Sequence, residues 1–211
     1  MRKGIKVLVL MCILLTPAAV YVFLQAFGHN EFDLPFYSEE GKLETTSFSS
    51  NTDPDPKIFK FEELYDSTGK KVDQDSYAND IIVLEFVSSQ SDRKKRDFQI
   101  KRISDIFQAE ESVRILRVFT DNNHSGSIQV KIVDQPEKNI SVLYTGDNEM
   151  TKMIKSIISA DNNQGSGAIY DIMLLLDNQQ RIRGSYAIHD FEEIDRLILE
   201  VKILLKKKQH V

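Results

Sequence analysis

IIVLEFV, residues 81–87, is followed by the polar stretch SSQSD, residues 88–92, and then by RKKRDFQIKRISDIF, residues 93–107. A continuous β-branched and aromatic run of about seven residues that ends in small polar ones is typical of a central strand covered on both faces. In the third segment Ile100, Ile103, Ile106 and Phe107 recur at helical spacing and are expected to face a core. The sequence therefore predicts a buried strand, a short loop and a helix with a basic first turn.

Outward from this unit the pattern continues as alternating strands and helices. Residues 113–120 form a second predicted strand, and the intervening helix makes a right-handed parallel βαβ unit the expected connection. Before the unit, residues 58–61 and Val72 flank a turn signal at residues 66–70, which predicts a β-hairpin.

The carboxyl-terminal half continues with a strand, a helix, a hairpin and a last helix. A short strand is predicted at residues 140–144, and an apolar stripe predicts a core-facing helix after Asp147. Residues 168–176 and 181–187 form an antiparallel hairpin across Asp177-Asn178-Gln179-Gln180. Asp190 and Glu193 make a capping-box-like start for the last helix, whose stripe runs from Phe191 to Leu205. The helix after Asp147 carries the stripe Met150, Met153, Ile154, Ile157 and Ile158.

Charge and cysteine usage exclude several classes of function. The net charge is −5, and after residue 27 there are 24 basic against 32 acidic residues, which argues against nucleic-acid binding. The single cysteine, Cys12, lies in the N-terminal apolar run, so the remainder has no disulfide, redox pair or thiolate metal site. No cofactor is predicted. The four histidines lack metal-ligand spacing.

Residues 5–27 contain one lysine, Lys6, near their start and are otherwise apolar or uncharged, and a helix of this length spans about 34 Å, enough to cross a hydrocarbon core. Residues 1–4 are basic and acidic residues follow the span, so the positive-inside rule places the amino terminus in the cytoplasm. The expected location is the inner (cytoplasmic) membrane, single-pass, with the following domain in the periplasm. The alternatives are a signal peptide cleaved near Pro17 and lipidation of Cys12.

Residues 28–56 are polar and lack a sustained period, which predicts a spacer between membrane and domain. An aromatic island at residues 32–37, FDLPFY, lies within this spacer and fits either the lipid interface or the surface of the folded domain. The globular domain is predicted at residues 57–208.

The order of predicted elements, β-hairpin, βαβ, helix and ββα, resembles a thioredoxin-like domain: a mixed central sheet flanked by helices, here behind one transmembrane helix. Residues 173–184, MLLLDNQQRIRG, and the run from Asp190 to Leu197 resemble the hairpin and final helix of the SCO/SenC family. Residues 118–121, VFTD, and 143–147, LYTGD, match further landmarks in order. The resemblance covers about residues 55–205. It implies a membrane-tethered protein of cytochrome c oxidase assembly.

That family binds copper through two cysteines in the loop after the central strand and a histidine before the last hairpin. Aligning Glu85-Phe86 with the family strand places Ser91 and Lys95 at the cysteine positions and Ile169 near the histidine position. A hydroxyl, an ammonium and an alkyl chain do not hold Cu(I), which requires soft thiolate or imidazole donors. The resemblance therefore implies the fold without the metal site, and fold alone does not establish function.

The replacement for this site is a basic cluster at a helix N-terminus, where free N–H groups attract anions. The cluster, Arg93, Lys94, Lys95 and Arg96, is either a solvated face or a contact for an anion or an acidic partner. The leading hypothesis is a non-enzymatic, partner-binding protein whose partner is a respiratory assembly factor or a paralogue. One alternative keeps copper-chaperone or thiol-oxidoreductase activity through other residues. Another is a cysteine-free enzyme, against which Asp92 is the only acid in the loop and its basic neighbours disfavour it as a general base. The last is a weak metal site made by His124, Asp121 and the amides of Asn122 and Asn123.

Overall fold

The structure is a computed structural model that describes residues 3–27, 34–39, 43–44, 55–87, 93–120, 138–158 and 172–209. Two compact units make up the chain, Met1–Asp33 and Leu34–Val211. The first unit contains helix α1, Lys3–Phe27. Its segment Gly4–Phe23 has a mean hydropathy of 2.3 and is long and apolar enough, by length and composition, to cross a membrane.

The second unit is built on a mixed five-stranded sheet. Its strand order is β5-β4-β3-β6-β7, with β3 in the centre. A separate two-stranded sheet, β1-β2, lies near the start of the unit. In chain order the elements are β1 (Phe36–Tyr37), β2 (Leu43–Glu44), a 3-10 helix (Gln74–Tyr77), β3 (Ile81–Val87), α2 (Arg93–Phe107), β4 (Val113–Thr120), β5 (Ile140–Thr145), α3 (Asp147–Ile158), β6 (Ile172–Leu176), β7 (Ile182–Ala187) and α4 (Phe191–Gln209).

Every one of the seven side chains of β3 is buried, because the strand lies in the centre of the sheet. Alternate side chains of a strand point to opposite faces, so β3 contributes to two hydrophobic cores. Ile81 and Val83 lie in one core with residues of α2 and α4, and Ile82, Leu84 and Phe86 lie in the other with residues of α3. The prediction of a strand covered on both faces is confirmed.

The connections around β3 also follow the prediction. Strands β3 and β4 pair in parallel through helix α2, whereas β6 pairs antiparallel with both β3 and β7. Asp190 caps α4, since its Oδ1 accepts a hydrogen bond from the backbone N–H of Glu192 at 2.9 Å. Met150, Ile154 and Ile157 of α3 are buried, as the stripe predicts.

The hairpin predicted between Ile58 and Val72 is present only around its turn at residues 66–70, where Tyr65 and Lys71 form an antiparallel bridge, and the strand predicted at residues 58–61 is wrong. Residues 55–80, all described, contain isolated bridges and a 3-10 helix in place of two paired strands. Ile58 bridges to Arg181, and Tyr65 bridges to Lys71 and Tyr144. The alternation of Phe59 and Phe61 does reflect burial, but both side chains pack into the α3 core while the backbone pairs with distant residues.

The globular unit begins earlier than Lys57. Leu34, Phe36, Tyr37 and Ser38 are each at most 7% exposed. Leu34 joins the core beneath α2 and α4, and Tyr37 joins the core beneath α3. The described part of the aromatic island therefore packs on the folded domain, which is one of the two positions predicted for it. Phe32 and Asp33 lie outside the described residues.

Two side chains predicted to face the core do not. Ile106 of α2 is 41% exposed and Phe191 of α4 is 57% exposed. Phe191 is the first residue of its helix and packs against the exposed ring of Phe98, with ring centroids 6.4 Å apart. Helical spacing thus identifies the correct apolar stripes, but each predicted stripe includes one residue that does not pack against the sheet.

We expect Leu34→Ala to lower the free energy of unfolding by about 2–5 kcal/mol, because it opens a cavity in a packed core. Urea denaturation of residues 28–211, followed by circular dichroism, measures this change. Ile58→Ala is the matched control, since Ile58 is 52% exposed and its truncation should change the free energy by less than about 0.5 kcal/mol. An equal, small effect of both substitutions would contradict the docking of Leu34.

Candidate functional site

The candidate site is the junction between the end of β3 and the start of α2. Of the three positions that the family resemblance assigns to copper ligands, Lys95 lies in the first turns of α2 and is exposed. Ser91 and Ile169 lie outside the described residues, as do Asp92 and residues 121–124 of the alternative hypotheses. The structure therefore describes the two elements that flank this loop.

The structure divides the basic cluster into an exposed part and a buried part. Arg93, Lys94 and Lys95 are exposed, whereas Arg96 is only 4% exposed. Arg96 lies on the same helical face as Gln99, Ile100 and Ile103, all buried, because they are three, four and seven residues further on. It is thus part of the domain interior and does not belong to one exposed surface with the other three.

Arg96 turns inward toward a carboxylate in the central strand. Its Nε lies 3.3 Å from Oε1 of Glu85, which is fully buried. Glu85 is the one charged residue in β3, and a buried carboxylate requires a counter-ion. Arg96, one helical turn into α2, is the first counter-ion of Glu85.

Arg117 of β4 is the second counter-ion of Glu85. Glu85 and Arg117 are direct partners in the parallel register, and the Nε of Arg117 donates to Oε2 of Glu85 at 2.5 Å. The Nη2 of Arg117 also donates to Oδ1 of Asp97 in α2 at 2.8 Å. The Oδ2 of Asp97 in turn lies 3.5 Å from the Nε of Arg93. One chain of ion pairs therefore links β3, β4 and α2. We define the junction network as Glu85, Arg93, Arg96, Asp97 and Arg117.

Burial and pairing act in opposite directions on these groups. Burial raises the pKa of the Glu85 carboxyl, while Arg117 and Arg96 oppose that rise. Burial alone would lower the pKa of Arg117, but the Glu85 and Asp97 carboxylates raise it above its ordinary value. Because protonation of Glu85 would leave two buried guanidinium groups without their shared counter-ion, we assign the carboxylate form at neutral pH.

Glu85 cannot serve as a general base or a nucleophile. Both oxygens of Glu85 face guanidinium groups, and the residue is fully shielded from solvent. A catalytic base must reach the proton that it removes, and this carboxylate reaches only arginines. Its role in the described structure is to hold the first turns of α2 against the sheet.

The hairpin β6–β7 contains a second buried carboxylate that sequence reasoning noted only as a family landmark. Asp177 is 1% exposed, and its Oδ2 accepts from Nε of Arg181 and Nε of Arg183, each at 2.7 Å. Its Oδ1 accepts from the backbone N–H of Gln179 at 2.9 Å. An aspartate directly before a short polar turn was the available signal, since such side chains bind the backbone two residues on.

The described residues do not offer a metal site. No group of three or more His, Cys, Asp or Glu side chains in them converges as a set of metal ligands. At the junction the described side chains are guanidinium and ammonium groups, which have no lone pair for Cu(I), and the hard oxygens of Glu85 and Asp97, which are paired with arginines. The described side chains of the junction therefore supply no soft donor for Cu(I).

Comparison with known proteins supports the fold. No family model and no curated protein matches the sequence. Among solved structures, BsSco, a member of the Sco family of cytochrome c oxidase assembly proteins, is 17% identical with a TM-score of 0.52, covering 70% of this chain and 94% of that one. A SCO1/SenC family lipoprotein from Bacillus anthracis is 18% identical with a TM-score of 0.50, covering 72% and 95%.

A third solved structure has a different designation. A candidate protein disulfide isomerase from Bacteroides thetaiotaomicron is 16% identical with a TM-score of 0.51, covering 74% of this chain and 92% of that one. At such identities the likeness establishes the fold. The second unit has the thioredoxin-like fold of Sco/SenC proteins, as the sequence resemblance implies.

We expect Glu85→Ala to lower the free energy of unfolding by about 3–5 kcal/mol, because it removes the buried carboxylate that the guanidinium groups of Arg96 and Arg117 share. Glu62→Ala, an exposed glutamate of the same unit, is the control and should have little effect. Urea denaturation of residues 28–211 measures both.

A double-mutant cycle separates the ion pair from simple side-chain loss. In Glu85→Met with Arg117→Met, the total cost should fall short of the sum of the single substitutions by about 1–3 kcal/mol, because neither charge is left without the other. Strict additivity would show that Glu85 and Arg117 do not form the pair described.

Proposed function

We propose that this chain is a membrane-anchored, SCO/SenC-like protein that works by binding a protein partner and not by thiol or copper chemistry. The observation that carries this proposal is the junction network. Where thioredoxin-like redox proteins place a thiolate at the start of the helix, this chain has arginines paired with the buried carboxylate of Glu85 and the half-buried one of Asp97. The scaffold is retained, and the described part of the junction is closed by ion pairs.

The sequence and the fold together support the cellular setting. Helix α1 is a candidate anchor, and the basic residues before it favour a cytoplasmic amino terminus and a periplasmic domain in the inner membrane. BsSco is a member of a family of cytochrome c oxidase assembly proteins. This likeness supports the proposal that the chain acts in the assembly of a respiratory oxidase or another copper protein, as a non-enzymatic factor.

The partner contact that we propose is the exposed part of the basic cluster, Arg93, Lys94 and Lys95. The N-terminal turn of a helix adds its partial positive charge to theirs, so an acidic protein surface is the complementary partner. Arg96 does not contribute to this surface, because it is buried beside Glu85. Nucleic acid is not expected as a partner, given the acidic balance of the unit.

The metal part of the proposal is tested by copper content. Full-length protein purified in detergent from copper-supplemented cells should hold well under one copper ion per chain by inductively coupled plasma mass spectrometry, because soft donors are lacking at the junction. Cys12→Ser is the control, since it removes the one thiol of the sequence. One copper ion per chain, retained in that variant through dialysis against a chelator, would instead support the alternative of retained copper-chaperone activity.

The partner surface is tested by charge reversal. We expect Lys94→Glu combined with Lys95→Glu to abolish or strongly reduce the crosslinked species formed by the wild-type chain in intact membranes, because rim charges govern encounter with an acidic partner. Lys60→Glu combined with Lys70→Glu makes the same charge change at exposed positions elsewhere in the unit and should leave the species unchanged. An unaltered crosslinking pattern in the first variant would remove this surface from the proposal.

A further inference from the structure

The outer surface of helices α2 and α4 concentrates the exposed apolar side chains of the second unit. Among the described residues of that unit, five large apolar side chains are exposed, and four of them lie on these two helices: Phe98, Ile106, Phe191 and Leu199. The fifth, Ile58, lies in a groove beside α3. Single exposed apolar residues are ordinary on a protein surface, whereas a cluster marks an interaction site.

The cluster is ordered in rows because the two helices run side by side in the same direction. At its start the rings of Phe98 and Phe191 lie with their centroids 6.4 Å apart. Four residues further along both helices, the Nη2 of Arg102 donates to Oδ1 of Asp195. The contacts thus advance together along α2 and α4, which also share one core against the sheet.

A third row follows from the same spacing. Ile106 and Leu199 are each four residues beyond the ion pair, so they continue the same helical faces, and both are exposed. Successive rows are about 6 Å apart along the helices. We define the α2–α4 face as these three rows, which are apolar, charged and apolar in turn: Phe98 with Phe191, Arg102 with Asp195, and Ile106 with Leu199.

We propose that the α2–α4 face is the contact surface between two copies of this chain. A two-fold dimer places the same surface on both sides of its interface. If the two-fold axis runs along the helices, α2 of one copy lies on α4 of the other, and Arg102 faces Asp195 of the second copy. The apolar rows then meet apolar rows.

Charge selects this arrangement over the other two-fold packing of the same face. An axis across the helices would place α2 on α2 and α4 on α4. Arg102 would then face its own counterpart, as would Asp195, and such like-charge contacts are unfavourable. The charges of the middle row are therefore self-complementary in one orientation only.

The middle row can bind a second copy without losing its internal ion pair. A guanidinium group has five N–H donors, and a carboxylate accepts several hydrogen bonds, so one internal bond uses a small part of this capacity. The side chain of Asp195 is 61% exposed and accessible to a second guanidinium group. The proposed interface does not include Arg93, Lys94 or Lys95, so it goes beyond the proposed function and does not depend on it.

Two complementary charge variants test the dimer. Purified full-length protein in detergent is passed over a size-exclusion column, and light scattering measures the mass of its protein part, which should be twice that of one chain. Arg102→Asp makes the middle row wholly acidic, and Asp195→Arg makes it wholly basic. Each variant alone should have the mass of one chain, and an equal mixture of the two should recover the double mass.

The mixture separates contact between copies from a structural role of the ion pair. Both variants lack the internal pair, and mixing does not restore it, so recovery of the double mass reports pairing between chains. A mixture that keeps the mass of one chain would contradict the pairing of Arg102 with Asp195. Wild-type protein that has the mass of one chain throughout the micromolar range would overturn the proposal.

A single apolar substitution tests the outer rows. Phe98→Asp should give the mass of one chain, because it places a charge against an apolar row of the second copy. Ile58→Asp is the matched control, since it makes the same kind of change at an exposed site beside α3 and should keep the double mass. A double mass that persists in Phe98→Asp and in both charge variants would assign association to another part of the chain and overturn the proposal. Circular dichroism confirms that the variants remain folded.

Discussion

A single buried carboxylate, Glu85, determines how the first helix after the central strand packs on the sheet. It receives Arg117 from the neighbouring strand and Arg96 from α2, and Arg117 extends the chain of ion pairs to Asp97. Burying such charges costs several kcal/mol per ion in lost hydration, and the attraction between the paired charges must offset that cost. Removing Glu85 takes away the carboxylate that the buried Arg96 and Arg117 share, which makes the network a constraint on the fold and not only a surface feature.

This constraint also bears on function, because it lies where proteins of this fold place their reactive groups. A helix N-terminus normally stabilises an anion. Here α2 begins with basic residues, and the cost of placing cations there is offset for Arg93 and Arg96 by Asp97 and Glu85. Arg93, Lys94 and Lys95 remain exposed at the same end of the helix. Ion pairs therefore fix the described start of α2 against the sheet, and its exposed first turn presents a positive face.

The sequence predicted the sheet well because its central strands are long and apolar. β3, β4 and the β6–β7 hairpin follow from periodicity and composition. It failed where pairing is decided by distant residues. Phe59 and Phe61 alternate like a strand, yet they fill a core beside α3. Leu34 and Tyr37 sit in a polar stretch, and no local signal shows that Arg183, 149 residues later, holds the carbonyl of Leu34.

The site was only partly predictable for the same reason. In the sequence Arg96 belongs to one charge run with Arg93, Lys94 and Lys95, although its helical phase matches the buried Ile100 and Ile103. Glu85, a lone charge in an apolar strand, signalled that a partner was required, but naming Arg117 requires the register of β3 against β4. Periodicity applied to charged residues as well as apolar ones would have found Arg96.

The most direct test of the account is hydrogen exchange of the arginine side chains by NMR. The Nε–H protons of Arg96 and Arg117 should exchange far more slowly than that of Arg93, which is exposed, and Glu85→Gln should remove much of this protection. Exchange of Arg96 and Arg117 as rapid as that of Arg93 in the unaltered chain would contradict the buried network, and with it the view that ion pairs close the junction.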